Sequence, residues 1–272
     1  MSVDEPVVDL QLDRAHSSRI YDYFLGGKTN FLADRMAAGS VLGVFPAALV
    51  AARINREFMH RATRFLAGAG LRQFLDIGTG IPTPPNLHEI AQGVAADARV
   101  VYTDNDPIVL AHAAALLLST PEGRTAYLQA DVTDPGGILT APQLLDTLDL
   151  SRPVALSLNA LMHFVTDDGE DRAHTIVETL KAALPSGSTL AMTHATADFA
   201  PEAMRRITKI YADAGTDLQF RSRAEFLRFF DGWELLQPGV TLSHQWCPDR
   251  PEDATHVTDA EAASYAGIAR KP

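Results

Sequence analysis

Cysteine is nearly missing from this 272-residue chain. Cys247 is the only one, which rules out an internal disulfide and any cysteine-rich zinc site. A lone thiol agrees with a reducing compartment, so the expected location is cytoplasmic. Basic residues are also scarce: 23 Lys and Arg face 34 Asp and Glu, for a formal net charge of -11. Partners whose affinity comes from phosphate neutralisation call for a basic face. Nucleic acid is therefore not the expected partner, and only Arg53, Arg56, Arg61 and Arg64 offer a local basic patch. Long apolar runs are absent as well. The longest, Val41 to Ala52, is broken by Gly43 and Pro46 and falls short of the roughly 20 residues a membrane-spanning helix needs. No membrane partner is expected. Asp4, Glu5, Asp9 and Asp13 give the N-terminus none of the basic and apolar regions of a signal peptide. No His, Asp and Glu cluster has metal-ligand spacing, so no metal is expected, and no Gly-x-Ser-x-Gly nucleophile motif occurs. The 46% hydrophobic content suffices for one large domain with a small helical addition.

What the chain does contain is a nucleoside-binding pattern. Phe74-Leu75-Asp76-Ile77-Gly78-Thr79-Gly80 reads as an apolar strand running into a tight turn, where glycine lets backbone approach a ligand without a side chain intervening. The next apolar run, Arg99 to Thr103, ends at Asp104, whose carboxylate suits ribose hydroxyls. A dinucleotide fingerprint wants a third glycine where Thr83 stands, which disfavours NAD.

Around this pair, strand and helix patterns alternate, the signature of a parallel sheet covered on both faces. Residues 1 to about 18 are acidic and read as a mobile tail. Val50, Ile54, Phe58, Ala62 and Phe65 mark a helix ended by Gly68 and Gly70. Thr83 is expected to cap a helix with Pro84 in its first turn, and Asp106-Pro107 to start the following one. Thr125 to Ala130, Pro153 to Leu158 and Thr189 to Thr193 supply strands three to five. Asp167 with Glu170, and Ser222 with Glu225, read as capping boxes. Trp233 to Leu236 and Val240 to Trp246 read as a terminal antiparallel hairpin, and residues 248 to 272 as a polar tail with a short helix at most.

The run Asp76-Ile77-Gly78-Thr79-Gly80, the acid Asp104 after strand two and Ala130-Asp131 after strand three resemble class I S-adenosylmethionine-dependent methyltransferases. Together with the segment Arg19 to Asn30, the stretches Arg72 to Thr83 and Val100 to Leu110 resemble one actinobacterial family of S-adenosyl methyltransferases with no assigned substrate. The resemblance covers roughly residues 15 to 250. It implies a Rossmann-like α/β fold with a seven-stranded, mostly parallel sheet carrying a terminal antiparallel strand. Helices cover both faces, and a helical cap precedes the sheet. The implied division is 1–66 tail, lid and cap, 67–250 cofactor-binding domain and 251–272 tail. It also implies S-adenosylmethionine as cofactor and an unidentified methyl acceptor, expected to be a small molecule.

In open parallel sheets ligands bind outside the carboxyl ends of the strands, and the candidate residues stand there. Asp76 is assigned to the methionine ammonium, and Gly78, Thr79 and Gly80 to backbone contact. Asp104 takes the ribose, Asn105 borders the adenine, and the resemblance gives Asp131 the adenine amino group with Val132 packed on the ring. Read alone, Asp131 is equally a turn or cap residue. Asn159, after strand four, joins the cofactor set; its surroundings, Ser157-Leu158-Asn159-Ala160, lack the Asn/Asp-Pro-Pro-aromatic signature of base methylases. Tyr21, Tyr23, Gly26 and Gly27 are expected in a lid over the sulfonium, which aromatic faces attract. The alternative is that these aromatics only staple the cap to the sheet. His163 and His194 follow strands four and five, and either is a candidate general base because imidazole titrates near neutrality. Packing is the competing role for each. The rival functions are a non-catalytic cofactor-binding sensor and an NAD-dependent oxidoreductase.

Overall fold

The computed structural model describes residues 10–116 and 118–272; the first nine residues of the expected acidic tail lie outside them. Among the described residues three helices come first: α1 (Ser17–Phe24), α2 (Leu32–Val44) and α3 (Ala48–Gly68). The alternating region follows as β1 (Gln73–Ile77), α4 (Leu87–Val94), β2 (Arg99–Asp104), α5 (Pro107–Leu116) and β3 (Arg124–Gln129). It continues through α6 (Pro135–Thr140), α7 (Pro142–Leu145), β4 (Ala155–Asn159), α8 (Arg172–Ala182), β5 (Thr189–Ala195) and α9 (Pro201–Asp213). The last elements are α10 (Arg223–Arg228), β6 (Glu234–Leu235), β7 (Thr241–Leu242), α11 (Asp259–Ala262) and β8 (Ser264–Arg270).

The sheet has eight strands in the order β3-β2-β1-β4-β5-β8-β6, with β7 also pairing to β8. Strands one to five are parallel, and β8 runs antiparallel to β5 and to both short strands. Strand order reverses between β1 and β4, the switch point where such sheets open a crevice. Alternate residues supply the two faces. Phe74, Val100 and Tyr102 pack under Phe58, Met59 and Ala62 of α3, while Leu75, Ile77 and Val101 face the side carrying Ile176 and Val177 of α8. A third cluster joins the cap to α9 through Ile20, Phe24, Val41, Met204, Ile207 and Tyr211.

The antiparallel arrangement departs from expectation in a specific way. Trp233 to Leu236 and Val240 to Trp246 do not pair with each other; both lean on β8, which lies in the stretch read as a polar tail. Ser264 to Ala269 are all buried, so the strand shows no alternation for a pattern search to find. A side chain at Gly267 would press on Phe230 and Val240, which explains the small residues there. Two caps also move. Asn86, not Thr83, caps α4 in a capping box with Glu89, and Asp171 stands at the N-cap of α8, leaving Asp167 to accept the Ala173 N–H at 2.9 Å. The Ser222–Glu225 box and the Asp106-Pro107 start are where the sequence put them.

Of the four arginines of α3, Arg53 is exposed and the other three are engaged within the fold. Arg61 is buried and donates to the carbonyls of Ser243 and Trp246 at 2.7 and 3.0 Å. Arg56 donates to the carbonyls of Thr83 and Pro85, and Arg64 pairs with Asp249 at 2.8 Å. Among the described residues no single helix is long and apolar enough to cross a membrane.

Candidate active site

A cavity of about 240 Å3 opens at the carboxyl edge of the sheet and continues beneath the cap. At its sheet end lie two buried carboxylates. Asp76, next to last in β1, accepts from the Thr79 hydroxyl at 3.2 Å. Asp104 ends β2 and accepts the Gly80 N–H at 2.8 Å and the Asp106 N–H at 3.0 Å. Burial drives both upward. Asp76 rises from 3.8 to about 6, with hydrogen bonds from Ser157 and Thr79 only partly opposing, and Asp104 also rises despite its two backbone donors. Neither has an ion-pair partner within 4.0 Å among the described residues. Two buried carboxylates so held favour a ligand bringing one positive group and several hydroxyl donors.

The glycine turn fits the same ligand. Gly78 and Gly80 have φ of 75° and 69°, a region side chains avoid, and a Cβ on Gly78 would lie 2.6 Å from the Leu161 side chain. After β4, the Asn159 amide donates to the Ser157 hydroxyl at 2.8 Å, leaving its Oδ1 buried and unpartnered. Ala160 then takes φ 51°, held by its N–H to the Thr193 hydroxyl at 2.8 Å. Strain of this kind concentrates where a chain is shaped around a ligand.

The sequence-derived residues divide into two groups. Tyr21, Asp76, Gly78, Thr79, Gly80, Asp104, Asn105, Val132, Asn159 and His163 line the cavity together. Tyr23, Gly26, Gly27, Asp131 and His194 do not. Gly26 (φ 77°) and Gly27 build a turn around Asp22, which accepts from the Asn30 amide at 2.8 Å; any side chain on Gly27 would strike the Asp22 carboxylate. These two glycines therefore serve the turn, and Tyr23 packs edge-on to Phe24. Asp131 accepts from the Asn105 amide at 2.9 Å and the Thr133 N–H at 2.8 Å, so it braces the rim while Ala130 and Val132 line the cavity.

The two histidines also separate. His194 is tied at both nitrogens: Nε2 accepts from Arg221 at 3.0 Å, which leaves Nδ1–H to donate to the Ala195 carbonyl at 2.7 Å. Burial, then His163 and Arg221, hold it neutral well below its ordinary range. With both nitrogens engaged, the ring is held against Arg221 and lies outside the cavity lining. His163 lines the cavity with Nδ1 buried and unpartnered. Burial, then the Arg221 charge, lower it to about 3, so its ring is neutral at any working pH and acts first as a hydrogen-bond acceptor.

Residues that sequence reasoning passed over complete the site. The Asn55 amide donates to the Tyr21 hydroxyl at 2.7 Å, Tyr21 donates to the Ala52 carbonyl at 2.9 Å, and the Thr193 hydroxyl donates to Asn55 Oδ1 at 2.5 Å. This chain ties α1 and α3 to β5 across the cavity wall. Asn55, Arg56 and Tyr211 all line the cavity from helices. Their shared signal, polar groups on an otherwise apolar helical stripe, points to a site only once the helices are placed over the sheet. The cap itself is pinned by Arg19, buried and bidentate on Asp106 at 2.8 and 3.1 Å, two residues beyond Asp104.

Sheet order, switch-point groove and paired carboxylates define an α/β protein of the class I methyltransferase type. A profile described as S-adenosyl methyltransferase matches residues 4–272, and the chain belongs to that family. It is similar to a DUF574 family protein of Streptomyces avermitilis, with 52% identity, a TM-score of 0.94, and coverage of 97% of this chain and 100% of that one. A putative methyltransferase of Thermobifida fusca is 39% identical over 99% of each chain, with a TM-score of 0.89. An O-methyltransferase family protein of Burkholderia thailandensis shares the fold at 12% identity and a TM-score of 0.50, covering 78% of this chain and 55% of that one. No curated protein is significantly similar in sequence. The protein is thus an S-adenosylmethionine-dependent methyltransferase with an unidentified acceptor. Neither the sensor nor the NAD-dependent oxidoreductase gains support.

Proposed function

We propose that the enzyme methylates a small molecule held under the helical cap, working in the cytoplasm. The observation carrying this reading is the continuity of the cavity: one space reaches from Asp76 and Asp104 to residues of α1, α2, α3 and α9. An acceptor must fit beneath that roof, which suits a compact molecule better than a duplex or a folded protein surface. The net charge of -11 and the engaged arginines of α3 argue the same way. Cytoplasmic work fits the single, unpaired Cys247.

Bound S-adenosylmethionine supplies an electrophilic methyl group on a sulfonium. Asp76 and Asn159 Oδ1 hold the ammonium of that ligand, the turn 78–80 lets backbone close on its tail, and Asp104 takes the ribose hydroxyls with its remaining acceptor positions. Asn105 and Val132 border the adenine. Tyr21 stands on the cap side with its hydroxyl fixed by Ala52 and Asn55. The protein's contribution to the transfer is orientation and exclusion of water, which can supply roughly 7–11 kcal/mol of the barrier.

Incubation with methyl-labelled cofactor and cell extract, followed by size fractionation, tests the acceptor. Label should appear in a product of low molecular mass. Label confined to protein or nucleic acid would sink the small-molecule reading.

A further inference from the structure

The cap side of the cavity has a chemistry of its own, distinct from the carboxylate end. Val41 and Phe45 of the cap, Ile207 and Tyr211 of α9, and Leu218 and Phe220 beyond it close this chamber without contributing a charge. Acidic groups lie at the other end, in Asp76 and Asp104. A cation entering the chamber would find no carboxylate and would meet the field of Arg221 behind His163. An anion would fare no better. Arg221 is spent on the carbonyls of Met162 and Val165 and on Asp167 at 2.6 to 3.0 Å, and Arg56 stands where its charge acts on Asp76.

Beside this apolar lining, His163 and Tyr211 hold polar atoms with no hydrogen-bond partner among the described residues. His163, 7% exposed, has Nδ1 without a partner, and its ring packs 4.3 Å from that of Phe164. Tyr211, 8% exposed, makes no side-chain hydrogen bond among the described residues and stacks at a tilt on Phe164 at 5.8 Å. An unpartnered buried imidazole costs free energy until something donates to it or accepts from it. A neutral imidazole takes one hydrogen bond from a hydroxyl, and the surrounding rings favour a planar apolar body.

Building on the methyltransferase reading above, we propose that the acceptor is an uncharged aromatic compound carrying a hydroxyl, which donates to His163 and receives the methyl group on oxygen. The oxygen attacks the methyl carbon as the carbon–sulfur bond breaks. The hydroxyl proton stays hydrogen-bonded to His163 until the oxygen–carbon bond has formed and made it strongly acidic, then leaves to water, and S-adenosylhomocysteine departs neutral at sulfur.

Calorimetric titration of the protein saturated with S-adenosylhomocysteine tests this with three probes of one shape: 2-naphthol, 2-methylnaphthalene and 2-naphthylmethylammonium. 2-Naphthol should bind about tenfold or more tightly than either of the others, the range expected for leaving a buried polar group unpaired. His163→Phe should erase that preference, and His163→Gln, which keeps an acceptor, should restore part of it. Equal binding of the three probes by the wild-type protein, or preference for the ammonium, overturns the proposal while leaving cofactor binding standing. Failure of S-adenosylhomocysteine itself to bind overturns the cofactor reading and this inference with it.

Discussion

Replacing Asp76 by asparagine should make the unliganded protein more stable and the cofactor weaker, a pair of effects that follows from one buried carboxyl. That group titrates near 6 in the folded chain against an ordinary 3.8. At 1.36 kcal/mol per pH unit the gap is worth about 3 kcal/mol. The folded chain keeps this proton to higher pH than the unfolded chain does, so the contribution is complete below about 3.8 and is lost as pH rises through about 6. Above pH 7 the ionised group is a net burden on the fold. An amide cannot ionise and escapes it. The cost relieved is about 3 kcal/mol at pH 8 and roughly half that at pH 5. Part is given back, because Asn presents one oxygen where the carboxylate presented two to Thr79 and Ser157, at about 1 kcal/mol for a lost hydrogen bond. A net gain of about 1–2 kcal/mol at pH 8, shrinking toward pH 5, should be read from urea unfolding of the unliganded protein. Cofactor binding should weaken roughly ten- to hundredfold, the worth of a hydrogen bond to a charged group. Unchanged stability at pH 8 together with unchanged affinity would refute both the buried charge and its role.

The same carboxyl sets a pH dependence for the wild type: S-adenosylmethionine affinity should be flat above about pH 7 and fall by up to about tenfold per unit below 6, as protons compete with the ammonium. Calorimetry giving one affinity from pH 5 to 8 would assign the ammonium elsewhere. Arg19→Ala strands the buried Asp106 carboxylate and should cost about 3 kcal/mol or more. The Arg19→Ala, Asp106→Ala double variant should recover part of it in chemical denaturation; strict additivity would deny the pairing. Gly78→Ala forces a left-handed residue, at roughly 1–2 kcal/mol, and collides with the Leu161 side chain that lines the cavity. A lowered melting temperature with weakened cofactor binding is expected, and a neutral variant would mean that the turn is not a close backbone approach.

The site was legible in the sequence where one residue acts through its own strand end. Asp76, Gly78, Gly80 and Asp104 are placed by the alternation of apolar runs and turns, because a parallel strand fixes where its last residue emerges. Tyr23, Gly26, Gly27 and Asp131 lie outside the cavity lining: the first three serve a local turn and ring contact, and Asp131 holds Asn105 and Thr133, and such contacts have the same composition as a ligand contact.

Composition and periodicity by themselves determined the layered α/β class and the nucleoside groove, since burial on both faces and glycine turns are written locally. Tertiary structure alone decided which residues meet across the chain. It inserted β8 from the chain's end beside β5, where flanking strands and helices bury six successive residues and leave no alternation to read. It also set Arg221 against both histidines, tying one and leaving the other neutral and open to the cavity. Those assignments depend on burial and long-range charge, and both exist only after the chain has folded.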